Sequence, residues 1–178
     1  PPLSPPSALQ TGLANHRQFY HQLAREVRRA QRYRRPLTLL MLDLDFFKGY
    51  NDRFGHLAGD QALRATGEVL RRNAREVDIL ARYGGEEFAI ILPETDLKQA
   101  VYQAERIRAA VAAHAFRGKD SSPEGDLTVS IGVATLTAEL RKIEELVHDA
   151  DQALYRAKAQ GRNRIALASN EDLVAASS

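Results

Sequence analysis

Two acidic residues stand where a carboxylate could bind a metal ion. Asp43 follows a nearly continuous apolar run over residues 37–42, and Glu86 follows a Gly-Gly pair and leads a second apolar run. A carboxylate at the end of a buried strand is costly to desolvate unless a cation or a donor meets it. Two acids brought together repel each other unless a metal ion lies between them, and oxygen ligands without His or Cys favour Mg²⁺. The residues alone leave two interpretations open, a magnesium–nucleotide site or two solvated acids at strand ends.

The composition excludes several other kinds of site and fits one compact domain. The chain has 178 residues, of which 44% are hydrophobic and 27% charged. It contains no Cys, which excludes disulfides and thiolate chemistry, and its five His residues are scattered, which argues against zinc. No apolar run is long enough to span a bilayer and no signal peptide is visible, so we expect a cytoplasmic location.

The two ends of the chain predict the domain boundaries. The sequence begins Pro-Pro-Leu-Ser-Pro-Pro, which is typical of a linker, and its only Met is Met41. We therefore expect excision from a longer protein with an upstream sensory or regulatory domain. The predicted organisation is a linker over residues 1–10, one domain over residues 11–170, and a frayed tail over residues 171–178.

A basic segment lies between His16 and Leu42, where seven Arg residues face a single acid, Glu26. Such a run fits either a nucleic-acid contact or a solvated helix face. Few aromatic residues are interleaved there for base stacking. We therefore favour the solvated face and expect no nucleic-acid partner.

Apolar spacing and turn residues predict an α+β domain. A helix capped by Asn15 precedes the first strand, and a polar turn over residues 49–59 leads to a helix that starts near Asp60. Two apolar runs around a two-residue Gly84-Gly85 turn predict a β-hairpin. Further helices are predicted over residues 96–115 and 144–160, and further strands over residues 127–136 and 165–167. This order is that of a ferredoxin-like palm, with a central, mostly antiparallel sheet and helices packed around it.

The segment Gly84-Gly85-Glu86-Glu87-Phe88 resembles the signature of GGDEF-family diguanylate cyclases, in the variant with Glu at the third position. The resemblance continues in family order over roughly residues 11–167, in the segments 11–17, 43–48, 51–60, 129–133 and 153–163. It departs from the family pattern near the N-terminus, where Ala8, Gln10 and His16 replace the usual Asp, Leu and Arg. The departures concern coupling to a regulator more than the chemistry.

The resemblance implies a set of site residues on this chain. Asp43, Glu86 and the backbone carbonyl of Leu44 would bind Mg²⁺, with Mn²⁺ as an alternative, and Glu86 would also help to deprotonate the attacking hydroxyl. The β- and γ-phosphates of the substrate would meet the backbone amides of Phe46, Phe47 and Lys48 together with the side chains of Lys158 and Arg162. Spaced four apart, Lys158 and Arg162 would share one helix face, and they could also be ordinary helix-end charges. The Phe side chains are expected in the core.

Guanine recognition is assigned by the same resemblance to Asn51 and Asp60. A carboxylate can accept both the N1–H and N2–H₂ donors of guanine, which adenine lacks. Asp60 could instead cap a helix. We expect His56 to be structural, Asp45 to accept hydrogen bonds in a local turn, and Glu87 to point away from Glu86 by strand alternation.

A second site is implied by Arg75, Asp78 and Arg106, which match the family's product-inhibition site. Their other interpretation is a surface ion pair. The expected reaction joins two GTP into cyclic di-GMP and two pyrophosphates, in a homodimer of facing domains, with feedback by the product. The alternatives are a catalytically weak domain that senses GTP or cyclic di-GMP, and a polymerase-like palm, for which 178 residues leave no room for fingers and thumb.

Overall fold

The computed structural model describes residues 13–117, 127–139 and 142–168. The predicted linker, the predicted tail and the first residues of the N-terminal motif, including Ala8 and Gln10, lie outside the described residues. Within those three ranges, no helix has the length and apolar character needed to cross a bilayer.

Five helices and five strands follow one another along the described residues. They are α1 His16–Tyr33, β1 Leu37–Asp45, α2 Phe47–Phe54, α3 His56–Arg72, β2 Ile79–Arg82, β3 Glu87–Pro93, α4 Leu97–Ala113, β4 Thr128–Thr135, α5 Ile143–Ala159 and β5 Ile165–Leu167. The strand order in the sheet is β2-β3-β1-β4-β5, and only the β4–β5 pair is parallel. The predicted α+β fold with a mostly antiparallel sheet is confirmed.

The central strand β1 is buried over its full length because helices cover both faces of the sheet. On one face Leu40 and Leu42 pack in a core with residues of α3 and α4. On the other face Leu39 and Met41 pack with residues of α1 and α5. A strand covered on both sides has no solvent face, which explains the nearly continuous apolar run in the sequence.

Residues 49–59 were predicted to be a polar turn, and this prediction is wrong, because all of them except Gly55 are helical. Helix α2 forms because Phe47 and Tyr50, three apart, both reach the core. Gly55, with a φ of 91°, separates α2 from α3, which begins at His56 rather than near Asp60. Asp60 therefore lies inside the helix and is not its N-cap, a position that Gly55 occupies.

The β2–β3 hairpin has a longer turn than the sequence predicted. Arg82 pairs with Phe88, and the backbone N–H of Tyr83 donates to the carbonyl of Glu87 at 2.8 Å. Three residues, Gly84-Gly85-Glu86, therefore form the tip between the closing pair. Consequently Glu86 lies in the turn itself, and β3 begins one residue later.

A close approach between α5 and β4 depends on Gly132. A Cβ added at this position would lie 2.1 Å from the carbonyl oxygen of Ala150 and 2.4 Å from the backbone nitrogen of Leu154. Only glycine lets the helix come this near to the sheet. The contact sets the depth of α5, which carries Lys158 towards the end of β1.

Candidate active site

The C-terminal end of β1 holds a buried ion pair. The Nζ atom of Lys158, on α5, lies 2.5 Å from Oδ2 of Asp43. The side chain of Asp43 is only 5% exposed and that of Lys158 is 31% exposed. Among the described residues, the other oxygen of Asp43, Oδ1, is buried and has no hydrogen-bond partner. One lone-pair-bearing oxygen of the carboxylate is thus open to a further ligand.

The turn residue Glu86 reaches the same point. Its backbone carbonyl accepts a hydrogen bond of 3.2 Å from the N–H of Leu44, so the turn is tied to β1. Its side chain lies near enough to Asp43 for the two carboxylates to interact electrostatically. Burial, and then the charge of Asp43, raise the pKa of Glu86. Burial also raises the pKa of Asp43, and Lys158 opposes part of that rise.

Glu87 joins these two acids electrostatically, which sequence reasoning missed. It is the register partner of Asp43 across the β1–β3 ladder. Its pKa is raised by burial and then by the negative charges of Asp43 and Asp151. Strand alternation does not place Glu87 on the opposite face from Glu86, because Glu86 belongs to the turn and not to the strand. We call Asp43, Glu86 and Glu87 the acidic cluster.

The acidic cluster fits a divalent cation that completes its shell with substrate. No described group of three acidic or His side chains has the arrangement of a complete metal cage. Mg²⁺ seldom needs one, since it is usually held by one or two carboxylates, water and phosphate oxygens. The unpartnered oxygen of Asp43 and the mutual repulsion that helps to raise the pKa values of these acids both fit a site that binds a cation.

Asp45 has a different role from the local turn acceptor that was predicted. Its carboxylate accepts hydrogen bonds from Thr128 Oγ1 and Ser130 Oγ, both at 2.7 Å, and from the backbone N–H of Asn163 at 3.0 Å. These partners come from β4 and from the segment after α5. Asp45 therefore ties three distant parts of the chain together beneath the site.

The N-terminus of α2 follows directly and presents backbone amides. Phe46 is the N-cap residue, and no side chain caps the helix. Unbonded amides at a helix start favour anions. Phe47 is buried as predicted, but the ring of Phe46 is 70% exposed, so the prediction of a core position is wrong for Phe46.

Arg162 lies at this helix start and Lys158 lies beside Asp43, but the two do not share a helix face. Helix α5 ends at Ala159, and Arg162 lies in the following loop with a φ of 62°. The shared-face prediction is therefore wrong. The guanidinium of Arg162 lies 4.6 Å from the ring centroid of Phe46, while Lys158 contacts Asp43.

The two residues assigned to guanine lie on neighbouring helices. Asn51 is on α2, and its Oδ1 atom is buried without a hydrogen-bond partner among the described residues. A Cβ at Gly59 would lie 1.6 Å from that atom, so glycine is needed to make room for the amide. Asp60 is exposed on α3 beside it, and His56 is exposed at the start of the same helix.

The residues assigned to inhibition gather at the other end of the hairpin. The carboxylate of Asp78 accepts from the backbone and guanidinium of Arg75, at 2.7 and 2.8 Å, and from Gln103 at 2.9 Å. Arg106 donates to the carbonyl of Asn73 at 2.9 Å. The side chain of Asp78 is 0% exposed, so this pair is more deeply set than an ordinary surface ion pair.

A cavity of about 540 Å³ adjoins Arg75, between α1 and the start of the hairpin. Four arginines line it together with two glutamates: Arg25, Arg29, Arg35, Arg75, Glu26 and Glu94. The arginines of the basic segment that line this volume, Arg25, Arg29 and Arg35, are themselves exposed, so it is an open groove. An excess of guanidinium groups around an open volume favours an anionic ligand.

Known proteins resemble this chain over most of its length. The family model described as "Diguanylate cyclase, GGDEF domain" matches residues 9–164. The response regulator PleD of Caulobacter vibrioides is 43% identical over 155 residues, which are 87% of this chain and 34% of PleD. Diguanylate cyclase DgcP of Pseudomonas aeruginosa is 42% identical over 158 residues, which are 89% of this chain and 23% of DgcP. The chain thus spans about a third or less of these relatives.

Solved structures agree with the sequence relatives. The GGDEF domain of DgcB from Caulobacter crescentus, in complex with c-di-GMP, superposes with a TM-score of 0.82 at 37% identity, covering 89% of this chain and 93% of that one. The active GGEEF domain of a diguanylate cyclase from Vibrio cholerae superposes with a TM-score of 0.82 at 34% identity, covering 88% and 97%. With a matching fold, signature turn and family model, the chain belongs to the GGDEF family of diguanylate cyclase domains.

Proposed function

We propose that this domain condenses two molecules of GTP into cyclic di-GMP and releases two pyrophosphates. The observation that carries the proposal is the position of Glu86 beside Asp43, next to an uncapped helix start and with Lys158 paired to Asp43. Acids that hold a metal ion next to amides that hold phosphates are the parts that phosphoryl transfer requires.

Mg²⁺, or Mn²⁺ in its place, would be held by Asp43, Glu86 and the backbone carbonyl of Leu44. The open Oδ1 atom of Asp43 supports this assignment. When bound, the ion supplies charge neutralisation and orientation at the α-phosphate. The backbone amides of residues 46–48, Lys158 and Arg162 would bind the β- and γ-phosphates, since amides, ammonium and guanidinium groups all donate to phosphate oxygens.

Glu86 would accept the proton of the 3′-hydroxyl group of GTP. The hydroxyl oxygen attacks the α-phosphorus of the facing GTP, the bond from that phosphorus to the pyrophosphate oxygen breaks, and the proton passes to the carboxylate of Glu86. Burial and the charge of Asp43 raise the pKa of Glu86, which brings it nearer to the value that suits a general base at neutral pH.

Guanine would be read by Asn51 and Asp60. The buried, unpartnered Oδ1 atom of Asn51 needs a donor, and the exposed carboxylate of Asp60 can accept two N–H groups from the guanine edge. One such site holds one GTP. Two domains must therefore face each other, so we infer a homodimer that forms at least during the reaction.

Feedback inhibition by cyclic di-GMP at Arg75, Asp78 and Arg106 belongs to the same proposal. It is supported by the arginine-lined cavity beside Arg75 and by the c-di-GMP complex of the DgcB domain. Arg75 and Glu86 lie at opposite ends of the β2–β3 hairpin, so bound product would not compete directly with GTP. Because this chain spans only 34% of PleD, we infer that the full-length protein contains a further, regulatory domain, for which we propose an upstream position.

The experiment is incubation with GTP and Mg²⁺ followed by identification of the product, on wild type and on Glu86→Gln. We expect the variant to lose at least about 10²-fold in rate, because a neutral amide is a poor ligand for Mg²⁺ and a poor proton acceptor. Glu68→Gln, at an exposed position of α3, is the matched control and should behave as wild type. GTP binding without any product in the wild type would favour the sensor function instead.

A further inference from the structure

Phe46 has a backbone conformation that bulky residues seldom adopt. Its φ and ψ are 58° and 29°, in the left-handed region, where a residue without glycine's freedom is disfavoured. Its ring is 70% exposed, so burial does not offset this cost. Such an outlier next to a ligand site is a reason to look for a functional contact.

That contact is the guanidinium of Arg162, 4.6 Å from the ring centroid of Phe46. Arg162 and Asn163 are also left-handed, with φ values of 62° and 46°. Their loop is anchored on both sides, because the N–H of Arg162 donates to Ala157 and the N–H of Asn163 donates to Asp45, each at 3.0 Å. Two restrained backbones therefore bring the ring and the cation together.

We propose that the ring of Phe46 is a positioning residue that holds Arg162 over the N-terminus of α2, ready for the terminal phosphates of the nucleotide. The inference rests on the proposed function, and it adds a side-chain role to a residue whose backbone amide alone was assigned. A guanidinium stacked on an aromatic face keeps its N–H groups at the edge, where they can donate to phosphate oxygens. Restraint before binding lowers the entropy that Arg162 loses on binding.

The test measures binding of 3′-deoxy-GTP, which lacks the attacking hydroxyl, in the presence of Mg²⁺ by isothermal titration calorimetry. Phe46→Asn removes the ring but tolerates a left-handed backbone, and it should weaken binding about two- to fivefold, the range of an exposed cation–π contact. Phe46→Trp keeps an aromatic face and should bind as tightly as wild type. Tyr102→Asn, at an exposed aromatic residue on α4, is the matched control and should change nothing.

A double-mutant cycle separates the ring from the backbone amide of the same residue. In an Arg162→Gln background, Phe46→Asn should cause no further loss, because the ring then has no guanidinium to hold. A loss of equal size in both backgrounds would mean that the substitution moves the α2 amides, and would overturn the proposal.

A second readout needs no nucleotide. The ring current of Phe46 should displace the Nε–H resonance of Arg162 in the ¹H–¹⁵N spectrum, and Phe46→Asn should abolish that displacement while Phe46→Trp retains one. An unchanged Arg162 resonance, or wild-type affinity in Phe46→Asn, overturns this inference alone. Failure of the wild type to bind 3′-deoxy-GTP overturns the proposed function, and the inference with it.

Discussion

Lys158→Met should destabilise the metal-free protein, because Lys158 is the cation nearest to the acidic cluster. Its Nζ atom lies 2.5 Å from Oδ2 of Asp43, whose side chain is 5% exposed. Removal of the ammonium group leaves a buried carboxylate without its counter-charge. Methionine retains the apolar stem of lysine, so most of the packing on α5 is preserved.

The magnitude follows from the exposure of the two partners. Breaking a fully buried ion pair by removing one member costs about 3–5 kcal/mol. Lys158 is 31% exposed, so water screens part of the interaction, and Asp43 can take up a proton because burial raises its pKa. We therefore expect a loss of about 2 kcal/mol in the free energy of unfolding at neutral pH, at the low end of large single-mutant effects.

The assay is denaturant unfolding of wild type and Lys158→Met, first with a chelator and then with Mg²⁺. Lys98→Met, at an exposed lysine of α4, is the control and should stay within about 0.5 kcal/mol of wild type. Since the lysine and the metal ion compete for one carboxylate, Mg²⁺ should stabilise the variant more than the wild type. Equal stability of the two proteins without metal would refute the contribution of the ion pair. Equal stabilisation of the two by Mg²⁺ would refute competition between Lys158 and the metal ion for Asp43.

Three further predictions concern other parts of the site. Gly59→Ala should leave the fold intact but weaken GTP binding by at least about tenfold in calorimetry, because its Cβ would lie 1.6 Å from Asn51 Oδ1 and displace that amide; unchanged affinity would remove Asn51 from the guanine site. In metal-free protein the acidic cluster holds protons that the unfolded chain releases near its ordinary pKa values, 3.8 for Asp and 4.5 for Glu. The contribution of these groups to the free energy of unfolding should thus fall as pH rises from about 4 through the raised pKa values, and Mg²⁺ should make this fall smaller in a pH series. If the metal-free wild type instead became more stable over this pH range, and Asp43→Asn did not, the pKa directions would be contradicted. Arg75→Ala should relieve inhibition by added cyclic di-GMP while the initial rate is largely kept, and competitive inhibition of the wild type in GTP titrations would show that the two ligands share a site.

The fold was predictable where buried positions produce a clear pattern of apolar residues in the sequence. The nearly continuous apolar run of β1 predicted a strand covered on both faces, and the glycine pair between apolar runs located the hairpin. Helix α2 escaped prediction because only Phe47 and Tyr50 mark its buried side, and polar residues occupy most of its other positions. Two residues at helical spacing are too weak a signal beside an Asn-Asp pair that favours a turn.

The sequence named residues that the structure brings together, but it did not predict their geometry. The resemblance gave Lys158 and Arg162 together, but a shared helix face could not hold, because Gly161 lies between them and α5 has already ended. The length of the hairpin turn depends on the pairing of Arg82 with Phe88, and that register is set by the whole sheet. Loop conformation and strand register depend on residues that are distant in the sequence, so a local sequence pattern does not predict the contacts that they create.

Two aspartates on β1 show how hydrogen bonding separates a structural acid from a chemical one. Asp43 and Asp45 lie two residues apart and so face the same side of the sheet, and both are 3% exposed. Both oxygens of Asp45 accept hydrogen bonds from the protein, given by Thr128, Ser130 and Asn163. Asp43 keeps one oxygen without a partner among the described residues, and only a flexible lysine contacts the other. A buried oxygen without a partner calls for a further donor or a cation, whereas both oxygens of Asp45 already have protein partners, which is the physical argument for proposing a cation at Asp43 and not at Asp45.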